Sequence, residues 1–69
     1  MKDNMGNWVS VKDRIPDTEV IACGFQHEIM IGYIYWDESY KEYRAENDCE
    51  ILTSVTHWMP LPEPPKEDV

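Results

Sequence analysis

Apolar and polar residues alternate with a period of two over most of this chain, the mark of half-buried strands. Trp8-Val9-Ser10-Val11 reads as a short first strand or an extended segment laid on a sheet, and residues 12–18 as a charged loop turned by Pro16-Asp17. Residues 19–25 predict a strand with Val20, Ala22 and Gly24 on one face and Ile21, Cys23 and Phe25 on the other; Gln26-His27 then connects tightly to the next. Residues 28–36 carry the strongest pattern. Ile29, Ile31, Tyr33 and Tyr35 share one face, and Met30, Gly32, Ile34 and Trp36 the other. Both faces are apolar, so a central strand is predicted, covered on one side by the core and on the other by a partner or by loops.

Asp37-Glu38-Ser39 predicts a turn, residues 40–44 a charged edge strand, and residues 45–50 a polar loop. A helix over 39–50, with Tyr40, Tyr43 and Asn47 near helical spacing, is the alternative. Residues 51–59 predict one last strand. The run from Pro60 to Pro65 then holds four prolines in six residues, cannot continue a ladder, and favours polyproline II. The expected fold is mainly β: a small three- to four-stranded antiparallel sheet with little helix and a proline-rich C-terminal tail. The expected organisation is a flexible N-terminus over 1–7, a single small β domain over 8–62, and a frayed tail over 63–69. Met1 and Met5 are both candidate starts.

Length and charge narrow the function classes. At 69 residues the chain has room for one small domain and none for a cofactor domain beside a substrate domain. Fourteen Asp and Glu against six Lys and Arg give a formal net charge of −8. That balance disfavours direct binding to nucleic acid or to an anionic membrane, since contact with phosphate depends on Lys and Arg. No apolar run is long enough for a membrane helix, and the N-terminus lacks the apolar core of a secretory signal. A cytoplasmic location is expected. Two cysteines, Cys23 and Cys49, fit buried reduced thiols better than a disulfide framework.

No catalytic residue, metal or cofactor is expected. Cys23, His27, Cys49 and His57 are good zinc ligands by type but lack a Cys-x-x-Cys knuckle, and nothing in the strand pattern makes them converge. No calcium loop is present. The stretch from Asp37 to Glu50 has six carboxylates against Lys41 and Arg44, a net −4 that is half the total, and it adjoins an aromatic-rich strand. A small sheet cannot bury all of these aromatics. Tyr33, Tyr35, Trp36, Asp37, Glu38, Tyr40, Glu42, Tyr43, Glu46 and Asp48 are therefore the candidate partner-binding residues, presenting an acidic and aromatic surface to a basic patch. The alternative is a small anionic ligand held by Arg14, Lys41, Arg44, His57 and Trp58, with Lys12 nearby. It requires an oligomer, because one chain this short encloses little space.

Trp8-Val9-Ser10-Val11, Ile15-Pro16, and Thr56-His57-Trp58-Met59-Pro60-Leu61-Pro62-Glu63-Pro64-Pro65 together resemble a family of phage and prophage proteins, the domain of unknown function numbered 551. The resemblance spans residues 8–65, with residues 36–52 matching none of its pattern. It implies no catalytic residues. It does imply a setting, that of a phage accessory protein in a bacterial cytoplasm, where small acidic proteins often block host defence. The functional expectation is a non-enzymatic, counter-defence inhibitor that binds a host protein. An oligomeric sponge for a nucleotide immune signal is the rival.

Overall fold

The structure is a computed structural model and describes residues 7–62. The expected tail over 63–69, and all of the expected flexible N-terminus except Asn7, lie outside those residues. Six strands form one antiparallel sheet: β1 (Val9–Ser10), β2 (Val20–Cys23), β3 (Ile29–Asp37), β4 (Glu42–Glu46), β5 (Ile51–Leu52) and β6 (His57–Pro60). Their order across the sheet is β1-β6-β2-β3-β4-β5. The mainly β, antiparallel architecture follows from the period-two pattern, and a single 3₁₀ turn at Phe25–His27 is the only helix among the described residues.

The strand count exceeds the expected three to four for two reasons. β1, expected over residues 8–11 as a strand or an extended segment, is a true ladder of two residues, as is β5. The segment expected as one strand over 51–59 is also broken in the middle. Ser54 takes a left-handed backbone (φ 52°). Val55 N–H then donates to Tyr43 O at 2.8 Å and Thr56 N–H to Cys23 O at 3.0 Å. Residues 53–56 thus bond to elements on both sides of the strand order, drawing β5 and β6 together and curling the sheet. Leu52, Val55 and Trp58 are all buried, a spacing of three that uninterrupted alternation could not produce.

β4 is also displaced from its expected position. It runs over Glu42–Glu46, so Ala45 and Glu46 are ladder residues and only residues 47–50 turn. β5 pairs with it, which makes it an interior strand instead of an edge. Asn47 shapes the turn: its Oδ1 accepts from the N–H groups of Cys49 (2.8 Å) and Glu50 (2.9 Å), and its Nδ2 donates to Ile31 O at 2.8 Å.

The core lies on the inner face of the curl. Val11, Val20, Ala22, Met30, Ile34, Ala45, Leu52, Val55 and Trp58 are buried together. Two glycines permit the close approaches that this curvature needs. A Cβ on Gly24 would lie 2.5 Å from Thr53 O, and one on Gly32 would lie 2.5 Å from Glu46 O. β1 pairs with β6, bringing Val9 opposite Trp58 and joining the Trp8 and Trp58 segments.

Candidate functional site

The tip of the β3–β4 hairpin carries a connected set of polar contacts. Asp37 Oδ1 accepts from the N–H groups of Ser39 (2.9 Å) and Tyr40 (3.2 Å), folding the turn locally. Register then places Trp36 opposite Tyr43, and their rings meet edge to face at 4.9 Å. Trp36 Nε1 donates to Glu38 Oε1 at 2.8 Å, while Lys41 Nζ donates to Glu38 Oε2 at 2.7 Å. On the other side, Arg44 Nε donates to Glu42 Oε2 at 2.7 Å, and Nη1 stands 3.7 Å from Asp37 Oδ2. The Arg44 guanidinium lies 4.0 Å from the Tyr40 ring centroid. Ser54 Oγ ties Glu42 to the corner of the broken strand at 3.1 Å.

These contacts set the ionisation of the tip. The Lys41 ammonium, with the Trp36 indole N–H, holds Glu38 below the usual carboxylate range. The Arg44 guanidinium, with Ser54, does the same for Glu42. Glu42 in turn raises Arg44. Both glutamates are therefore acceptors at neutral pH, unsuited to donating a proton, and the tip presents fixed charge and aromatic surface.

Strand alternation divides the candidate partner-binding residues. Trp36 and Tyr43 lie on the inner-face side of the β3–β4 pair, with Glu38 and Tyr40 in the turn between them. Tyr33, Tyr35 and Glu46 lie on the outer face of the sheet, and Asp48 is in the β4–β5 turn. Asp37 and Glu42 face each other in register at the base of the tip. Lys41 and Arg44 are paired with Asp37, Glu38 and Glu42, so three of the six carboxylates of the negative segment belong to an internally bonded network.

The alternative ligand set is spread over three places. Arg14 sits over Trp58, with its guanidinium 5.5 Å from the ring centroid, beside an open recess of ≈ 660 Å³ completed by Pro16, Thr18 and Leu61. Lys41 and His57 border a different groove of ≈ 600 Å³, together with Lys12, Trp36, Tyr43 and Thr56. Arg44 is turned into the hairpin network. Of the four residues considered for zinc, Cys23, His27 and His57 line one shallow cleft of ≈ 380 Å³, while exposed Cys49 sits in the β4–β5 turn. Among the described residues no group of three or more His, Cys, Asp or Glu is placed to hold a metal ion. No helix among them is long and apolar enough to cross a membrane.

The outer face of β3 was legible only in part. Its alternation showed a second apolar side but not what covers it, and no loop among the described residues does. Ile29, Ile31 and Tyr33 stand 60%, 48% and 55% exposed along a central strand.

The model of a protein family described as "Protein of unknown function (DUF551)" matches residues 7–66. A relative in Salmonella phage P22, described as an uncharacterized 7.8 kDa protein in the ral-gp17 intergenic region, is 28% identical over 65 residues, covering 87% of this chain and 97% of the relative. No solved structure matches the chain.

Proposed function

The chain belongs to the DUF551 family, and from that premise we propose that it is a phage or prophage accessory protein that acts by binding a host protein and catalyses nothing. Its role in this reading is counter-defence: it occupies a basic surface of a host defence component in the bacterial cytoplasm. The phage relative supports the setting. The observation that carries the binding mode is the hairpin tip. Trp36 and Tyr40 are exposed, yet hydrogen bonds and ring contacts already fix their surroundings, so binding orders little that is not ordered beforehand. Ionised Glu38 and Glu42 supply the charge that steers a basic partner to them.

The test is affinity capture from host lysate, with a Trp36→Ala/Tyr40→Ala double variant as control. A basic host protein should be retained by the native chain, lost with the double variant, and released as salt is raised. Retention of nothing, or equal retention by both proteins, would sink the reading.

A nucleotide sponge is the second reading. The groove between Trp36, Tyr43, Lys12 and Lys41 favours it, because it sets aromatic walls beside two ammonium groups. Lys41 already serves Glu38, which leaves Lys12 as the main phosphate contact. A thermal shift with cyclic nucleotides that disappears in Lys12→Ala would move the conclusion to this reading.

A further inference from the structure

The outer face of the sheet carries a patch built across three neighbouring strands. Register sets Met59, Ile21 and Ile31 side by side on β6, β2 and β3. Ile29 extends the patch one way along β3 and Tyr33 the other, about 13 Å apart at the usual rise per residue. The exposed apolar surface is on the order of 400 Å², comparable to the largest patch of a typical single-chain protein, a size that is often functional.

The two ends of this patch differ in chemistry. At the Ile29 end, Cys23 and His57 complete the row, and His27 and Trp8 line the same cleft. At the Tyr33 end, Glu46 is the register partner, and Glu19 and Asp48 close a recess of ≈ 370 Å³ beside the ring. Imidazole donors thus stand at one end and three carboxylates at the other. No cation of the described residues neutralises the acidic end: Lys41 and Arg44 are bonded within the hairpin, and Lys12 and Arg14 lie in the loop after β1.

We infer that this face is the contact between two copies of the chain, packed sheet to sheet about a two-fold axis crossing the strands near Ile31. That axis sets the Ile29 end of each copy over the Tyr33 end of the other while keeping each strand over its own counterpart, so that His27 and His57 on the β2–β6 side meet Glu19 of the second copy. The other two-fold arrangement, with its axis along the strands, would set carboxylates against carboxylates. A stable interface takes roughly 800 Å² from each partner, about twice the apolar patch, so the polar ends supply the rest of the contact. The hairpin tip lies outside this contact, so the dimer stands whether or not the tip binds a host protein.

Light scattering on the full chain at high salt, which screens long-range repulsion between acidic copies, tests the contact. At about 100 µM the native protein should show twice the 8.2 kDa of one chain. Ile31→Glu, which buries one unpaired charge per copy, should weaken the dimer by about a hundredfold or more. Ile31→Thr keeps a β-branched residue and should weaken it less while preserving the circular dichroism, which covers failure of the glutamate variant to fold. Trp36→Ala should leave the dimer intact. Glu19→Lys and His57→Glu should each weaken it about fivefold, and the two combined should recover most of that loss. A monomeric native chain, or a dimer indifferent to both Ile31 variants, overturns the proposal. A dimer strengthened by Glu19→Lys alone overturns its orientation.

Discussion

Trp58 and Arg14 hold one another from opposite ends of the chain: the indole Nε1–H donates to Arg14 O at 2.9 Å, and the Arg14 guanidinium lies over the same ring. The buried indole therefore organises the loop after β1 as well as the core, although that loop contains no ladder of its own.

Replacing Trp58 with alanine should remove about 3–5 kcal/mol, enough to unfold most of a domain this small. Trp58→Phe keeps much of the apolar burial and loses the bond to Arg14 O, so it should cost less. Denaturant unfolding followed by circular dichroism would rank the two. Equal losses would show that the hydrogen bond outweighs the packing.

Gly32→Ala places a methyl group where Glu46 O already sits, and a backbone carbonyl cannot swing aside as a side chain tip does. The expected cost is about 1–3 kcal/mol, which for a domain of this size lowers the melting temperature by roughly 4–8 °C per kcal/mol. An unchanged melting curve would mean that β3 and β4 can separate there freely.

Asn47 makes three hydrogen bonds through one side chain. Asn47→Asp keeps the acceptor for the Cys49 and Glu50 amides and loses only the donor to Ile31 O, whereas Asn47→Ala loses all three. Hydrogen exchange at Cys49 and Glu50 should accelerate in the alanine variant and stay slow in the aspartate one.

The hairpin tip should be acid-labile. Glu38 and Glu42 have folded pKa values below their ordinary 4.5. Their contribution is thus fully present above that pH and is lost as pH falls through the depressed folded values. Trp36 fluorescence and overall stability should be flat from neutrality down to about pH 5, then decline. In Glu42→Gln the acid dependence should be shallower. A decline beginning near neutrality would point to histidine instead.

The sequence showed some of these parts and hid others for identifiable reasons. β2 and β3 were legible because four and nine residues of alternation are long enough to carry a period. β1 was legible only as a strand or an extended segment, and β5 only as the start of a longer strand, since two paired residues carry little pattern. The break between β5 and β6 was invisible because nothing local demands it. Ser54 is not a turn former of the Gly or Asn kind, and the bonds that bend the chain come from Tyr43 and Cys23, far away in sequence. Alternation along β3 already sends Tyr33 and Trp36 to opposite faces, so the ten candidate binding residues, grouped by their chemistry, do not form one surface. The ion pairs were hidden because they depend on how the hairpin folds: Glu38–Lys41 closes within the turn, and Asp37–Arg44 crosses between the strands.

β6 lies between β1 and β2, so the last of the described strands separates the first two. No ladder can form on β1 until residues 57–60 arrive, and β2 lacks one neighbour until the same moment. The growing chain can close the β2–β3 and β3–β4 hairpins early, but it cannot rehearse its final topology. Its slowest folding step should be the insertion of β6, a closure between distant parts of the chain, and until then the Trp58 slot in the core stands open.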